Sequence, residues 1–161
     1  MTAPLDRYER RILELLQEDA SLSTAALAES VGLSASPCWR RVDRLEREGY
    51  IKRRVALLDR KKIGLNAQIF AQVKLNAHGR ANLDAFARTI RGFPEVLECF
   101  VLMGSIDFLL RIVAQDIEAY ERFFFEKLSK LEGVQEIIST VALSEIKATT
   151  ALPIPPDARD D

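Results

Sequence analysis

Apolar residues recur every three or four positions through the first third of the chain, which is the period of amphipathic helices. A first helix is predicted to begin at Asp6, a favoured N-cap residue, and a second at Ser23 or Thr24. The apolar sides of the two helices consist of Tyr8, Ile12, Leu15 and Leu16, and of Leu27, Ala28 and Val31. Gly32 can adopt the left-handed conformation that a tight turn between helices requires.

The next segment predicts a third helix with distinct apolar and basic sides. Ser34 or Ser36 caps it, Pro37 lies in the first turn, where proline is tolerated, and Gly49 ends it. Its apolar positions fall within about 40° of one another at 100° per residue, and they are Cys38, Val42 and Leu45. The opposite side carries Arg40, Arg44 and Arg47, flanked by Arg41 and Trp39.

This arrangement is typical of a helix-turn-helix that reads the major groove of DNA. Arginine can donate two hydrogen bonds to guanine or clamp a phosphate, and the early residues of such a helix lie nearest the bases. A basic strand is predicted over residues 50–58, at the wing of a winged helix-turn-helix, where it would hold phosphates. The predicted DNA-binding residues are Ser34, Ser36, Pro37, Trp39, Arg40, Arg41, Arg44, Arg47, Lys52, Arg53 and Arg54. The alternative is a solvated helix with ion pairs from Asp43 to Arg47 and from Arg44 to Glu48.

Charge is distributed unevenly along a chain whose net charge is only −1. Residues 34–62 contain ten Lys or Arg against four Asp or Glu, whereas residues 65–161 contain ten against fourteen. A basic patch on a nearly neutral protein is the electrostatic pattern expected of a small DNA-binding module. Charge therefore supports the assignment of the first half.

The second half predicts a sheet with two helices. Strands are predicted over residues 68–75, 96–103, 108–113 and 134–143, and amphipathic helices over 83–90 and 117–131. This βαββαβ order is that of a ferredoxin-like sheet with both helices on one face, so the other face requires a cover. A second copy would supply it, which predicts a homodimer. The run Phe123, Phe124 and Phe125 favours burial between chains, unless one ring lies partly exposed.

The fold class is therefore predicted as α+β, an N-terminal winged helix-turn-helix followed by a C-terminal ferredoxin-like βαββαβ domain. The predicted boundaries are residues 1–58 for the DNA-binding domain and 59–65 for a linker. The βαββαβ domain is expected over 66–152, and a proline-rich, acidic, mobile tail over 153–161.

Two sets of motifs resemble the Lrp/AsnC (leucine-responsive and asparagine-responsive, or feast/famine) transcriptional regulators of bacteria and archaea. The segment GLSASPCWRRVDRLEREGYI, residues 32–51, is similar to that family's helix-turn-helix signature. In the second half, GSIDFLL at 104–110 resembles the family's G-x-x-D-[YF]-L-L turn and strand. Asp116, Tyr120 and Phe123 follow its D-x-x-x-Y-x-x-F helix pattern, and IKATTALP at 146–153 its last motif. The resemblance covers about residues 5–154.

The resemblance implies dimers that gather into octamers or similar rings, with amino-acid effectors bound between dimers near the G-x-x-D turn. The implied effector site consists of Met103, Gly104, Ser105, Ile106 and Asp107, with Ala142, and with Ser139 and Thr140 from a neighbouring dimer. The Asp107 carboxylate can accept from an ammonium group, and Ser105 can donate or accept. Ser105 and Ile106 depart from the family, which often has an acidic and an aromatic or small residue there, and this leaves the amino acid open. The alternative is an ordinary hairpin turn in which Asp107 bonds the local backbone.

No catalytic or metal-binding pattern accompanies these motifs. Cys38 and Cys99 lie far from each other and from His78, which predicts neither a disulfide nor a zinc site. There is no P-loop, G-x-G-x-x-G or H-E-x-x-H, so neither an enzyme nor a cofactor is expected. The chain has no leader-like segment and no run of 18 apolar residues, which indicates a cytoplasmic, nucleoid-associated protein without a membrane partner.

The sequence therefore predicts a sequence-specific transcriptional regulator that binds double-stranded DNA. Its assembly or DNA binding is expected to respond to a small amino acid, of unknown identity, bound between dimers. One alternative is an architectural protein that wraps DNA as an oligomer without an effector. Another is an enzyme built on the ferredoxin-like half, against which the absence of a catalytic pattern counts.

Overall fold

A computed structural model describes residues 4–76 and 80–156, which form two compact units. One unit comprises the chain up to Leu57 together with the segment from Lys147, and we call it the head. The other, Leu58–Ile146, we call the sheet unit. The helices are α1 (Arg7–Glu18), α2 (Thr24–Val31), α3 (Ala35–Arg47), α4 (Arg80–Ile90) and α5 (Ile117–Glu126). The strands are β1 (Ala67–Leu75), β2 (Val96–Val101), β3 (Phe108–Ala114) and β4 (Val134–Val141).

The caps of the head helices follow from local chemistry. Asp6 caps α1 as predicted, and it forms a capping box in which its side chain accepts from the Glu9 amide at 2.8 Å while Glu9 accepts from the Asp6 amide at 2.9 Å. Ser23 caps α2 through the amide of Ala26. Gly32 ends α2 at φ 70° and ψ 37°, the left-handed conformation expected there.

The core of the head confirms most of the predicted apolar positions. Its buried apolar residues are Ile12, Leu27, Ala28, Cys38, Val42 and Leu45. Around them pack Leu13, Leu15, Leu16, Val31, Leu33, Tyr50 and Ile51, which are partly buried. The three helices thus bury one apolar side each and present their remaining sides to solvent or to charged neighbours.

The wing strand predicted over residues 50–58 is wrong for the isolated chain. No strand is assigned there, and within the described residues the backbone of 52–58 makes no hydrogen bond. A strand requires a neighbouring strand to pair with, and no strand among the described residues pairs with this segment. Val55 and Leu57 are exposed as a result.

Residues 147–156 lie against α1 as an extended segment of the head. The Gln17 side chain donates to the Leu152 carbonyl at 3.1 Å and accepts from the Leu152 amide at 2.6 Å, so it pairs with that residue as a strand would. The Arg10 guanidinium donates to the carbonyl of Pro155. The predicted mobility of the tail from residue 153 stays a prediction, and residues 157–161 of that tail lie outside the described residues.

The sheet unit has the predicted ferredoxin-like topology. Its four antiparallel strands run in the order β2-β3-β1-β4. The second and last strands are shorter than predicted, because the chain turns after Val101, where the Leu102 amide bonds the Asp107 carbonyl, and after Val141. The predicted helix over residues 117–131 is interrupted at Lys127, whose backbone is not helical, and a 3-10 turn, Leu128–Lys130, follows. The predicted linker, residues 59–65, includes a turn over residues 60–64, and its boundaries stay a prediction.

The two faces of the sheet differ in cover. One face packs on α4 and α5, and its buried residues include Ile69, Ala71, Val73, Phe108, Leu110 and Ile112. The alternate positions form the open face, which carries Phe70, Phe100, Leu109, Arg111, Ile138 and Thr140. On that face Arg111 donates to Glu98 at 2.7 Å, which lowers the pKa of the glutamate. Among the three phenylalanines of α5, Phe123 is buried, Phe124 packs on the core and Phe125 is 60% exposed.

Candidate DNA-binding surface and effector site

Five side chains on the solvent side of α3 form the surface that the sequence predicts to contact DNA, and we call it the DNA-facing side. They are Ser36, Trp39, Arg40, Asp43 and Arg47. They project there because Cys38, Val42 and Leu45 hold the opposite side in the core. Trp39 is 57% exposed, so its ring is accessible to a ligand.

The basic residues predicted to bind DNA fall into two groups in the structure. Within residues 4–76 and 80–156, Arg40, Lys52 and Arg53 form no hydrogen bond or ion pair and are exposed. The others are engaged within the head: Arg41, Arg44, Arg47 and Arg54. Arg40, Lys52 and Arg53 can therefore bind a ligand without first breaking an internal contact.

Arg41 joins α3 to the first turn of α1. Its Nε and Nη2 atoms donate to Asp6 at 3.2 and 3.0 Å. Partial burial raises the pKa of Asp6, but the hydrogen bonds from the Glu9 amide and from Arg41 outweigh it, so the pKa lies below its ordinary value. Arg41 also lies over the Tyr8 ring, with 5.3 Å from its guanidinium carbon to the ring centroid.

Arg44 is the most strongly held of the predicted DNA contacts. Its Nη1 donates to Glu9 at 2.6 Å, and its Nε donates to Glu48 at 3.0 Å. The Glu9 side chain is only 2% exposed, so this pair ties a buried carboxylate of α1 to α3. Sequence reasoning missed Glu9, although the D-x-x-E spacing of the capping box could have marked it.

The remaining two arginines form exposed pairs. Arg47 contacts Asp43 at 3.0 Å and its side chain stays 71% exposed, so water competes with this pair. Arg54 donates to Glu46 at 2.9 Å and to the carbonyl of Ala20 at 3.2 Å. The ion pairs of the solvated-helix alternative, from Asp43 to Arg47 and from Arg44 to Glu48, are thus both present.

The beginning of α3 leaves donors available. Ser34 is the N-cap residue, but its side chain makes no capping bond, and Ser36 and Pro37 follow in the first turn. Unpaired amides at a helix N-terminus favour a phosphate oxygen. The predicted contacts at Ser34 and Ser36 are therefore placed where a DNA backbone could receive them.

The predicted effector turn is held to the sheet by Asp107. Its carboxylate accepts from the Leu75 amide at 2.8 Å, and its own amide donates to the Val73 carbonyl at 2.9 Å. Asp107 thus has a structural role. The alternative considered from the sequence was a bond from Asp107 to the backbone of its own turn, whereas these two partners in the structure belong to β1. Beyond it, Met103 is fully exposed, Ser105 is exposed, and Gly104 adopts φ 157°, where side chains are strained.

The structure does not bring Ser139 and Thr140 to this turn within one chain. They lie on β4, two strands away from β3, which is about 10 Å by strand spacing. They also point to opposite faces, since Ser139 pairs with Ala71 and Thr140 with Phe70. A shared site with the turn would therefore need a second copy of the chain, as expected from the sequence.

Ser139 instead forms a local site on the helix-covered side. Its hydroxyl lies 2.5 Å from the Tyr120 hydroxyl, and burial raises the pKa of Tyr120, so the phenol is neutral. The two side chains line an open cavity of about 390 Å³ with Ile117, Glu121, Phe124 and Ile137. Ala142, the other predicted β4 residue, is tied to β1 through its amide and the Gln68 carbonyl.

Other reactive groups are in inert surroundings. Burial raises the pKa of both Cys38 and Cys99, so both remain thiols. The described part of the chain contains no cluster of three potential metal ligands, and His78 lies outside it. No helix among the described residues is both long and apolar enough to span a bilayer.

The fold and surface define the chain as a helix-turn-helix DNA-binding protein with an attached ferredoxin-like domain. The family models agree: the Lrp/AsnC ligand binding domain matches residues 68–152, and a winged helix-turn-helix DNA-binding domain matches residues 5–52. The chain belongs to the Lrp/AsnC family of transcriptional regulators.

Relatives of similar length support the assignment. The chain is 39% identical over 150 residues to the DNA-binding transcriptional activator DecR of Escherichia coli K12, covering 93% of this chain and 99% of that protein. A crystal structure of an AsnC family regulator from Agrobacterium tumefaciens is 42% identical, with a TM-score of 0.88 over 92% of this chain and 97% of that one. A Neisseria meningitidis regulator, solved in complex with L-Met, is 39% identical, with a TM-score of 0.89 over 93% and 97%.

Proposed function

We propose that this protein is a sequence-specific DNA-binding regulator whose assembly or DNA binding is modulated by a small amino acid bound between dimers. The observation that carries the DNA-binding part is the DNA-facing side of α3, where Arg40 has no internal partner in the described residues and Trp39 is exposed beside it. The Arg40 guanidinium can donate to guanine without first breaking an ion pair. The site of action would be chromosomal DNA in the cytoplasm.

The predicted DNA contacts divide into two roles in this proposal. Direct contacts are Ser34, Ser36, Pro37, Trp39, Arg40, Lys52 and Arg53. Arg41, Arg44 and Arg54 orient the surface through their internal pairs. Arg47 keeps Asp43 on its Nε and offers its Nη groups to a phosphate. The internal pairs keep α3 at a constant angle to α1, which preorganises the contact.

Assembly is proposed to use the open face of the sheet. Phe100 and Ile138 are about half exposed on it, and an apolar sheet face in water favours a partner. A second copy covers the face symmetrically, and dimers then associate into an octamer or similar ring. Several heads on one particle raise the effective concentration of each, so heads that bind weakly alone bind strongly together.

The effector part rests on the exposed turn at residues 103–106 and on the L-Met complex of the Neisseria relative. Met103 and Ser105 have no internal hydrogen bond among the described residues, and they can meet a ligand held between two copies. An effector changes regulation only if it binds two assemblies with different affinity. Ser139 and Thr140 of another copy would complete the site.

Arg40→Ala tests the DNA-binding part. Duplexes selected from a random pool by the wild type should lose roughly tenfold or more in affinity for this variant at equal salt, because a bidentate guanine contact discriminates by about 1–3 kcal/mol. Arg88→Ala on α4 removes the same charge from the sheet unit and serves as the control. Equal affinity of the Arg40 variant and the wild type would contradict the assignment.

A thermal-shift series with each of the twenty amino acids, beginning with L-methionine, tests the effector part. Ser105→Ala should reduce the shift, whereas Ser129→Ala, which removes the same hydroxyl elsewhere on the sheet unit, should keep it. Light scattering on the same samples reports the oligomer. A response to no amino acid, together with similar affinity for selected and random duplexes, would favour the architectural alternative.

A further inference from the structure

Asp43 is the carboxylate that lies among Ser36, Arg40 and Arg47 on the DNA-facing side of α3. At 100° per residue, Ser36, Arg40, Asp43 and Arg47 fall within about 60° of one another. A negative charge there opposes the phosphates of any duplex, so it weakens binding to DNA in general. If Asp43 lies on the contact surface, we therefore expect its carboxylate to accept from a specific hydrogen-bond donor on the DNA.

We propose that Asp43 selects cytosine in the half-site and suppresses binding to other sequences. Cytosine presents only an amino donor, N4, in the major groove, whereas guanine presents two acceptors and thymine an acceptor and a methyl group. Adenine offers an amino donor beside the N7 acceptor, which repels a carboxylate. Cytosine is thus the base that receives Asp43 without an opposed lone pair.

The position of Asp43 suits this role. It lies one turn after Arg40, about 4.5 Å further along the helix axis, so the two side chains reach neighbouring base pairs. Arg40 can donate to a guanine while Asp43 accepts from a cytosine of the adjacent pair. This specificity deepens the DNA-binding function proposed above and depends on it.

Arg47 positions the carboxylate. Its Nε lies 3.0 Å from Asp43 Oδ2, and the Asp43 side chain remains 39% exposed. The pair thus presents the carboxylate and lowers its repulsion from phosphates without hiding it. Because Arg47 itself is 71% exposed, the pair adds little to the stability of the helix, which separates this role from a structural one.

Asp43→Asn is the decisive variant, because an asparagine amide pairs with adenine N6 and N7. Wild type and variant each select duplexes from one random pool at equal salt, and the selected base frequencies are compared. We expect one cytosine position per half-site in the wild type to become adenine in the variant. Affinity for shuffled duplexes should rise several-fold, since a negative charge is gone.

Glu48→Gln is the matched control. It neutralises the other i,i+4 ion pair of α3, with Arg44, on the side away from the DNA-facing side. It should keep the wild-type preference, and Asp43→Ala should lose the cytosine without gaining adenine. Circular dichroism checks that all variants are folded.

Three outcomes overturn the proposal. An unchanged preference in both Asp43 variants would mean that the carboxylate only pairs with Arg47. An equal change in the Glu48 variant would mean that charge, rather than contact, sets the preference. If the wild type selects no sequence at all, the proposed sequence-specific function fails together with this inference, whereas the first two results leave that function standing.

Discussion

Replacing Arg44 with alanine should destabilise the head through Glu9. The change removes the cation that lies 2.6 Å from a carboxylate with only 2% of its side chain exposed. Breaking a buried pair on one side costs about 3–5 kcal/mol, because the remaining charge stays without its partner. Arg44 is itself 25% exposed, and Glu9 keeps the Asp6 amide, so we expect a loss below that range, between about 1 and 3 kcal/mol.

Urea unfolding measures this loss. Trp39, the only tryptophan, lies on α3, so its fluorescence follows the head rather than the sheet unit. Arg47→Ala is the control, because its exposed pair with Asp43 should contribute less than about 1 kcal/mol. The reasoning is refuted if Arg44→Ala costs no more than Arg47→Ala.

A double variant separates support from contact. Glu9→Gln added to Arg44→Ala leaves a neutral amide in place of the unpaired charge, so most of the stability should return. If selected duplexes then bind as before, Arg44 acts by supporting α3. If stability returns and binding does not, Arg44 contacts DNA directly, as the helical pattern alone suggests.

Four further outcomes follow from the geometry. Asp6→Asn should lower stability at neutral pH, and the difference from wild type should shrink as pH falls below 3.8. The reason is that the pKa of Asp6 is lowered in the folded state, so its stabilisation is lost as pH falls from 3.8 through the folded-state pKa; urea midpoints measured against pH check this. Gln17→Ala should lower the head's urea midpoint by releasing Leu152, and trypsin should then cleave after Lys147 faster than in wild type. Leu110→Ala, at a fully buried position of β3, should cost about 2–5 kcal/mol in calorimetry. Phe100→Arg on the open face should leave the fold intact by circular dichroism and yield monomers in light scattering; an unchanged oligomer would contradict the proposed interface.

Local patterns were sufficient to predict most of the helices and strands of this chain. The cap at Asp6, the left-handed turn at Gly32 and the apolar stripe of α3 depend on residues within a few positions of one another, so short-range chemistry determines them. The βαββαβ order follows in the same way from the change of hydrophobic period. The motifs at 32–51 and 104–110 further indicated the family, because they combine residue types with spacing.

The wing shows where local patterns stop. Residues 50–58 have the composition of a strand, yet hydrogen-bond partners decide whether a strand forms. In the part of the chain that the structure describes, no other strand pairs with this segment. The effector residues show the same limit. Ser139 and the turn at Asp107 belong to one predicted site, but strand order separates them within a single chain.

The arginines of α3 make the distinction clearest. The sequence by itself determined that Arg40 and Arg44 lie on the polar side of a helix, since 100° per residue is a property of any helix. Only the tertiary structure decided that Arg40 has no internal partner among the described residues, whereas Arg44 pairs with Glu9 and Glu48. The physical reason is that Glu9, 35 positions earlier, is buried by the packing of α1 on α3, and a buried carboxylate requires a cation.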